Sequence, residues 1–227
     1  MTTLFSRAKT LYQTGTKLAV QFWQGSKQLR VNAQEASILI NKQKLSGYKF
    51  TRKDFQLVHK SGKDMAKLIP FFIVLLILPE SLPLIIYYSP TFIPSTCWSK
   101  ELMESRIKKL DLLRPIIAKE LVHKSESMLN GNEYRLLNQF LGIPYRAPKY
   151  INSARVQAHF DYLKVDDGYI LEEGVSKLDD DELIAACFQR GIVTTDQSSS
   201  VLKIELEEWV KSKSQVGRVL ERMKLLI

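Results

Sequence analysis

The stretch that decides the fold reads Leu68-Ile-Pro-Phe-Phe-Ile-Val-Leu-Leu-Ile-Leu-Pro-Glu-Ser-Leu-Pro-Leu-Ile-Ile-Tyr-Tyr88. A bilayer core of about 30 Å takes roughly 20 apolar residues as helix, and this run has that length. Phe71 to Leu78 is apolar without interruption, a pattern that marks a helix hydrophobic all round rather than a surface helix. Tyr87 and Tyr88 stand at one end and Lys60, Lys63 and Lys67 before the other, the residue types that favour a membrane interface. The run therefore reads as a transmembrane segment over residues 68–88, with a buried core helix as the alternative. Pro79 and Pro83 each remove a backbone donor and predict a break in the helix between them. Glu80 lies between the two prolines. A carboxylate near the bilayer centre costs on the order of 2.5–3.5 kcal/mol on insertion scales. Three readings stay open for Glu80: it is protonated, it faces a polar cavity in an oligomer, or the segment is a re-entrant hairpin and Glu80 reaches the interface. The first two make it an ion or proton site.

Charge is distributed unevenly about this segment. Residues 1–67 hold thirteen Lys/Arg and three acids, a net of +10, whereas the remainder holds twenty Lys/Arg and twenty-one acids. Such an excess favours anionic surfaces, lipid headgroups or nucleic acid. Residues 1–31 contain Arg7, Lys9, Lys17, Lys27 and Arg30, several hydroxyl side chains and no acid. That composition fits a mitochondrial targeting segment, and equally a basic amphipathic helix lying on a membrane, with Leu4, Leu11, Leu18 and Phe22 as its stripe.

The remaining chain is read as helical throughout. Residues 32–67 form a pre-membrane helical region with a turn near Ser46–Gly47 and a helix start at Thr51 and Asp54. After the apolar run, a proline-fixed loop leads to an amphipathic helix carrying Met103, Ile107, Leu110, Leu113, Ile117 and Leu121, interrupted by Pro115. Asn130-Gly131 ends that unit, and a short helix from Glu133 to Leu141 stops at Gly142. Ala154 to Lys164 is helical, and Asp166-Asp167 starts a short helical turn ending at Gly174. Asp179 and Glu182 make a capping-box start for a helix with Leu183, Ala186 and Cys187 buried and Gly191 as its stop. Ser198 to Ser200 open a last helix with Leu202, Leu206 and Trp209 on one side. No run has strand period, so the fold class is all-α.

Chemistry-bearing constellations are sparse. His59, His123 and His159 have no partner at metal-ligand spacing, and Cys97 and Cys187 are far apart. The acidic run at 179–182 lacks the alternating ligands, central Gly and terminal Glu of a calcium loop, and reads as a helix N-terminus. No metal and no cofactor is expected, and nothing in the sequence supports an enzyme.

Two stretches together carry a resemblance. One is Asp64-Met-Ala-Lys-Leu-Ile-Pro-Phe71, the apolar run with Glu80 and Pro83, and Phe92-Ile-Pro-Ser-Thr96. The other is Asp167, Ile170, Glu173-Gly-Val175, Leu178, Glu182-Leu183, Ala186-Cys187 and Arg190-Gly191, followed by Leu202, Leu206 and Trp209. In this order they resemble the LETM family of mitochondrial inner membrane proteins. The resemblance implies one proline-broken transmembrane helix followed by a helical domain over residues 89–227, of the LETM ribosome-binding type, described as 14-3-3-like. It implies single-pass topology with the C-terminal domain in the matrix, although the local Lys/Arg excess by itself favours the N-terminal side inside. It further implies a part in potassium/proton exchange and mitochondrial volume balance, with Glu80 as the acid of the span. Ribosome binding for translation or insertion of inner-membrane proteins is the alternative. The chain has no long coiled coil and no EF-hand, so calcium regulation through such a site is not expected.

The partners expected are inner-membrane lipid, further copies of the chain where transport requires an oligomer, and a mitochondrial ribosome, with no DNA. Two basic clusters are candidates for ribosome contact: Arg106, Lys108, Lys109 and Arg114, and the tail Lys211, Lys213, Arg218, Arg222 and Lys224. A solvated helix face is the alternative for both.

Overall fold

In the computed structural model the described residues are 2–77, 94–124, 129–211 and Val219. Among them the secondary structure is entirely helical, without a strand. The chain divides into two compact units, Met1–Leu102 and Met103–Ile227.

The first unit is a helical hairpin. Helix α1 (Thr2–Ser46) runs without a break through residues 31 and 32, turns at Gly47, and packs on α2 (Arg52–Ile77). Leu29 and Ala36 are buried two turns apart on the same helical face, while Trp23, Val31 and Ile38 are exposed. The start at Thr51 is as expected: the Asp54 amide donates to Thr51 Oγ1 (3.2 Å) and the Thr51 amide to Asp54 Oδ2 (3.0 Å). Burial works to raise the Asp54 carboxyl, but the hydrogen bonds from Thr51 outweigh it and hold it below its ordinary value.

Helix α2 carries the apolar run as far as Ile77, continuing through Pro70. Among the described residues no helix is long and apolar enough to cross a membrane. The rest of the run, with Pro79, Glu80 and Pro83, lies outside the described residues. Beyond it, a short 3-10 turn at Ser95–Cys97 rests on α1 and α2. Approach to α1 is so close that a Cβ on Gly25 would stand 2.6 Å from the Thr96 carbonyl oxygen and 2.7 Å from Cys97 Sγ. Only glycine fits there. Burial raises the Cys97 thiol above its ordinary value.

Within the second unit, α3 (Lys100–Leu121, whose first residues close the hairpin unit), α4 (Gly131–Phe140), α5 (Lys149–Glu173), α6 (Asp180–Gln189) and α7 (Ser199–Lys211) surround one core. Leu121, Leu137, Phe140, Leu163, Ile170, Leu183, Cys187, Leu206 and Trp209 fill it. The Asp179–Glu182 capping box is present, as expected, and so is the buried face of α6. The last helix buries Leu202, Leu206 and Trp209 as its spacing requires. Gly174 and Gly191 end their helices with φ of +92° and +77°.

Four local expectations are corrected. Pro115 does not interrupt α3. Its missing donor falls beside Arg114, whose three hydrogen bonds to backbone carbonyls outside the helix hold that turn in place. Asn130-Gly131 does not end a unit but opens α4: the Asn130 side chain accepts from the Asn132 amide (3.0 Å), and Glu133 reaches back to the Asn130 amide (3.3 Å). The helix over 154–164 begins earlier, at Lys149 after Pro148. It also does not stop before Asp166: both aspartates sit inside α5, buried, because Arg190 neutralises them from α6.

Candidate nucleic-acid interface

Two buried arginines organise the second unit and thereby hold its surface. Arg114 Nη1 donates to Asp111 Oδ1 (2.5 Å) and to the Ile192 carbonyl (2.7 Å), Nη2 to the Phe188 carbonyl (2.7 Å), and Nε to the Phe140 carbonyl (3.2 Å). Asp111 Oδ2 accepts from the Thr194 and Thr195 amides (2.9 and 3.0 Å). Arg190 donates to Asp166 Oδ2 (2.8 Å) and Asp167 Oδ1 (2.6 Å), and Trp209 Nε1 reaches Asp167 Oδ2 (3.3 Å). Burial works against the Arg190 charge, but Asp167 and Asp166 outweigh it and raise its pKa above the ordinary value. The His159 Nε2–H donates to the Gln189 carbonyl (2.8 Å), a packing role for a lone histidine.

Residues 134–160, spanning most of α4, the connecting loop and the first half of α5, contain no Asp or Glu, four Lys/Arg and three tyrosines. The loop between the two helices is fixed from α5. Asn152 Nδ2 donates to the Tyr145 and Ala147 carbonyls (3.0 and 2.7 Å), Arg155 Nη1 to the Pro144 carbonyl (3.1 Å), and Asn138 Nδ2 to the Asn152 carbonyl (3.0 Å). From the front of the loop, Arg106 Nη2 donates to the Gly142 carbonyl (2.5 Å); burial holds its guanidinium below the ordinary value. A loop with its carbonyls so tied presents a set surface. On it the Tyr145 ring has the Arg135 guanidinium at 6.0 Å and that of Arg146 at 5.7 Å, distances of cation–π contact. Arg135, Arg146, Lys149 and Tyr150 are exposed. Acids gather elsewhere in the unit, at Glu172, Asp179, Asp180, Asp181, Glu205, Glu207 and Glu208. Fixed cations interleaved with aromatic rings on a stretch that contains no acid suit phosphates and stacked bases.

The residues expected to form basic patches fare differently. Arg114 is fully buried and belongs to no exposed patch; its charge is spent on Asp111 and three carbonyls. Arg106 holds the loop, Lys108 and Lys109 are exposed, and Lys211 is exposed beside Glu207 at 3.7 Å. Lys213, Arg218, Arg222 and Lys224 lie outside the described residues, as does Glu80. The corner around Tyr145 went unread in the sequence, although a run of 27 residues without an acid was its visible signal. Among the described residues no group of His, Cys, Asp or Glu is placed to hold a metal ion.

Among the described residues the second unit is all-helical and presents a basic, aromatic corner around Tyr145. Residues 127–221 match the family model described as LETM1-like, RBD. The chain is also similar to the LETM1 domain-containing protein mdm28, mitochondrial, of Schizosaccharomyces pombe, 25% identical over 248 residues, covering 87% of this chain and 52% of the relative. A second relative, the LETM1 domain-containing protein YLH47, mitochondrial, of Saccharomyces cerevisiae, is 24% identical over 238 residues, covering 83% of this chain and 52% of that protein. Over these stretches the chain is similar to proteins of the LETM1 type. It spans about half the length of the curated relatives it matches. No solved structure matches it at a significant level.

Proposed function

We propose that this protein is a mitochondrial, membrane-attached docking factor whose second unit engages a mitochondrial ribosome through the corner formed by Arg135, Tyr145, Arg146, Lys149 and Tyr150. The observation that carries the reading is this fixed basic and aromatic surface inside the stretch that matches the LETM1-like RBD model. Two relatives with "mitochondrial" in their names and the basic, acid-poor N-terminus support the compartment. The apolar run that begins in α2 supports attachment to the inner membrane. The test is cosedimentation with mitochondrial ribosomes across a salt series. Three phosphate contacts, one each for Arg135, Arg146 and Lys149, at a log–log slope of about −0.7 each weaken binding roughly 20-fold when salt rises fourfold. The Arg146→Glu/Lys149→Glu variant should bind more weakly and with a shallower slope; binding equal to wild type, or independent of salt, overturns the assignment.

A second reading, potassium/proton exchange by an oligomer, rests on Glu80 between Pro79 and Pro83 in the sequence. Potassium-driven swelling that is unchanged in Glu80→Gln mitochondria with normal protein levels overturns it.

A further inference from the structure

Helix α3 carries a second cationic surface, different in make from the Tyr145 corner. At about 100° per residue, Lys108, Lys109, Leu112, Ile116 and Lys119 share one outward face with Leu112 near its centre. All five are exposed, Leu112 by 76% and Ile116 by 59%, whereas Leu110, Ile117 and Leu121 on the opposite face are buried in the core. Between Lys108 and Lys119, about 17 Å of helix, the one acid in the sequence is Asp111. That carboxylate is buried and taken up by Arg114, Thr194 and Thr195. Glu104 and Glu120 stand at the edges of the face, about 80° to either side of Leu112. Glu101 shares its direction about three turns earlier, among the residues that close the first unit.

Single exposed apolar residues are ordinary, so neither Leu112 nor Ile116 alone asks for a partner. Two of them at i and i+4, framed by three lysines, make an amphiphilic patch. Charge and ring content select what it meets. The first unit, of this copy or another, carries a net +10 over residues 1–67 and repels the lysines. Single-stranded RNA is held by stacking on aromatic rings, and this face has none. An anionic lipid surface takes both components, with ammonium groups among the phosphates and the apolar side chains at the acyl boundary. The start of α3 also lies near the part of the molecule proposed to meet the membrane. Lys100 follows five residues after Ser95, whose amide donates to Asp64 of α2 (2.9 Å). At Asp64 the exposed side chains of α2 change from Lys60 and Lys63 to Met65, Ile69 and Ile73.

We propose that this face of α3 docks the second unit on an anionic phospholipid surface. Lys108, Lys109 and Lys119 pair with headgroup phosphates, and Leu112 and Ile116 insert between them. Lys108 and Lys109, read from the sequence as candidates for ribosome contact, are thereby given to lipid. The inference rests on the membrane attachment proposed above.

The test uses the full chain with Leu112→Cys carrying the fluorophore NBD. It is reconstituted in vesicles of phosphatidylcholine alone and of phosphatidylcholine with one-fifth cardiolipin. The native Cys97 and Cys187 are buried, so the dye goes to the introduced thiol. Glu208→Cys, exposed among the acids of α7, gives the control position. A nitroxide on the lipid acyl chain should quench the dye at 112 in the cardiolipin vesicles and little without cardiolipin, while the dye at 208 stays unquenched in both. The two vesicle types are compared on one labelled protein, so the result does not depend on the folding of a further variant. A lysine near an anionic surface is worth about five-fold in partition, so Lys108→Glu/Lys109→Glu/Lys119→Glu should lower the docked-to-free ratio at least about 150-fold and abolish the quenching. Protein that floats with its dye at 112 open to iodide in both vesicle types overturns lipid docking and leaves attachment intact. Shielding from iodide without lipid quenching means that a protein covers the face, and overturns it as well. Shielding that arises only when mitochondrial ribosomes are added does the same. Failure to float overturns attachment and this inference with it.

Discussion

At the scale of residues, the second unit is ruled by where its charges are buried. Arg190 bridges two buried carboxylates, Asp166 and Asp167, whereas Asp111 receives hydroxyl and amide donors from Thr194 and Thr195 besides Arg114. Removing one partner of a buried pair costs about 3–5 kcal/mol, because the remaining charge keeps its desolvation penalty. Arg190→Ala is expected at the upper end of that range and Arg114→Ala at the lower, since Asp111 retains four donors. Urea unfolding of both variants checks the order; equal losses would mean that the threonine donors contribute nothing. The sequence disclosed none of this. Arg114 reads as one more cation on a basic helix because its partners lie 26 to 78 positions away, and Asp166-Asp167 reads as a helix start for the same reason.

At the scale of elements, what was legible is what is local. Caps and stops depend on residues within four positions, so Thr51, Asp179 and Gly191 announce their helix ends correctly. The continuity of α5 and of α3 through Pro115 depends on partners in other helices and was not legible. Helix α4 gives an element-scale prediction. Its Glu133 carboxyl is held below the ordinary value of 4.5 by hydrogen bonds from the first-turn backbone, its own amide first, and by Lys124. A folded pKa below the unfolded one means that the folded state binds the proton less readily. Its contribution is therefore present above pH 4.5 and lost as pH falls through the folded value. Thermal melts should show wild type and Glu133→Gln converging as the pH is lowered from 6 into that range; a constant gap would exclude the linkage.

Over the whole molecule, charge sorts itself into places the composition hides. The first unit carries the basic excess, and the nearly neutral remainder separates an acid-free stretch at 134–160 from acids in α6 and α7. A positive corner on a neutral unit steers an anionic partner to one face. Charge reversal at Arg146 and Lys149 should accordingly reduce ribosome binding while changing unfolding free energy by no more than about 0.5 kcal/mol, as for exposed positions generally. A large loss of stability would mark these residues as structural instead.

The Arg114 guanidinium has a consequence for the order of events during folding. Its four acceptors come from its own helix, from the end of α4, from the end of α6 and from the strand-free segment at Ile192. None of these acceptors alone compensates its desolvation, so the arginine stays hydrated until α3, α4 and α6 have converged. Its burial is accordingly expected late in assembly, and Arg114→Ala should speed unfolding more than it slows folding, which stopped-flow rates of the variant check.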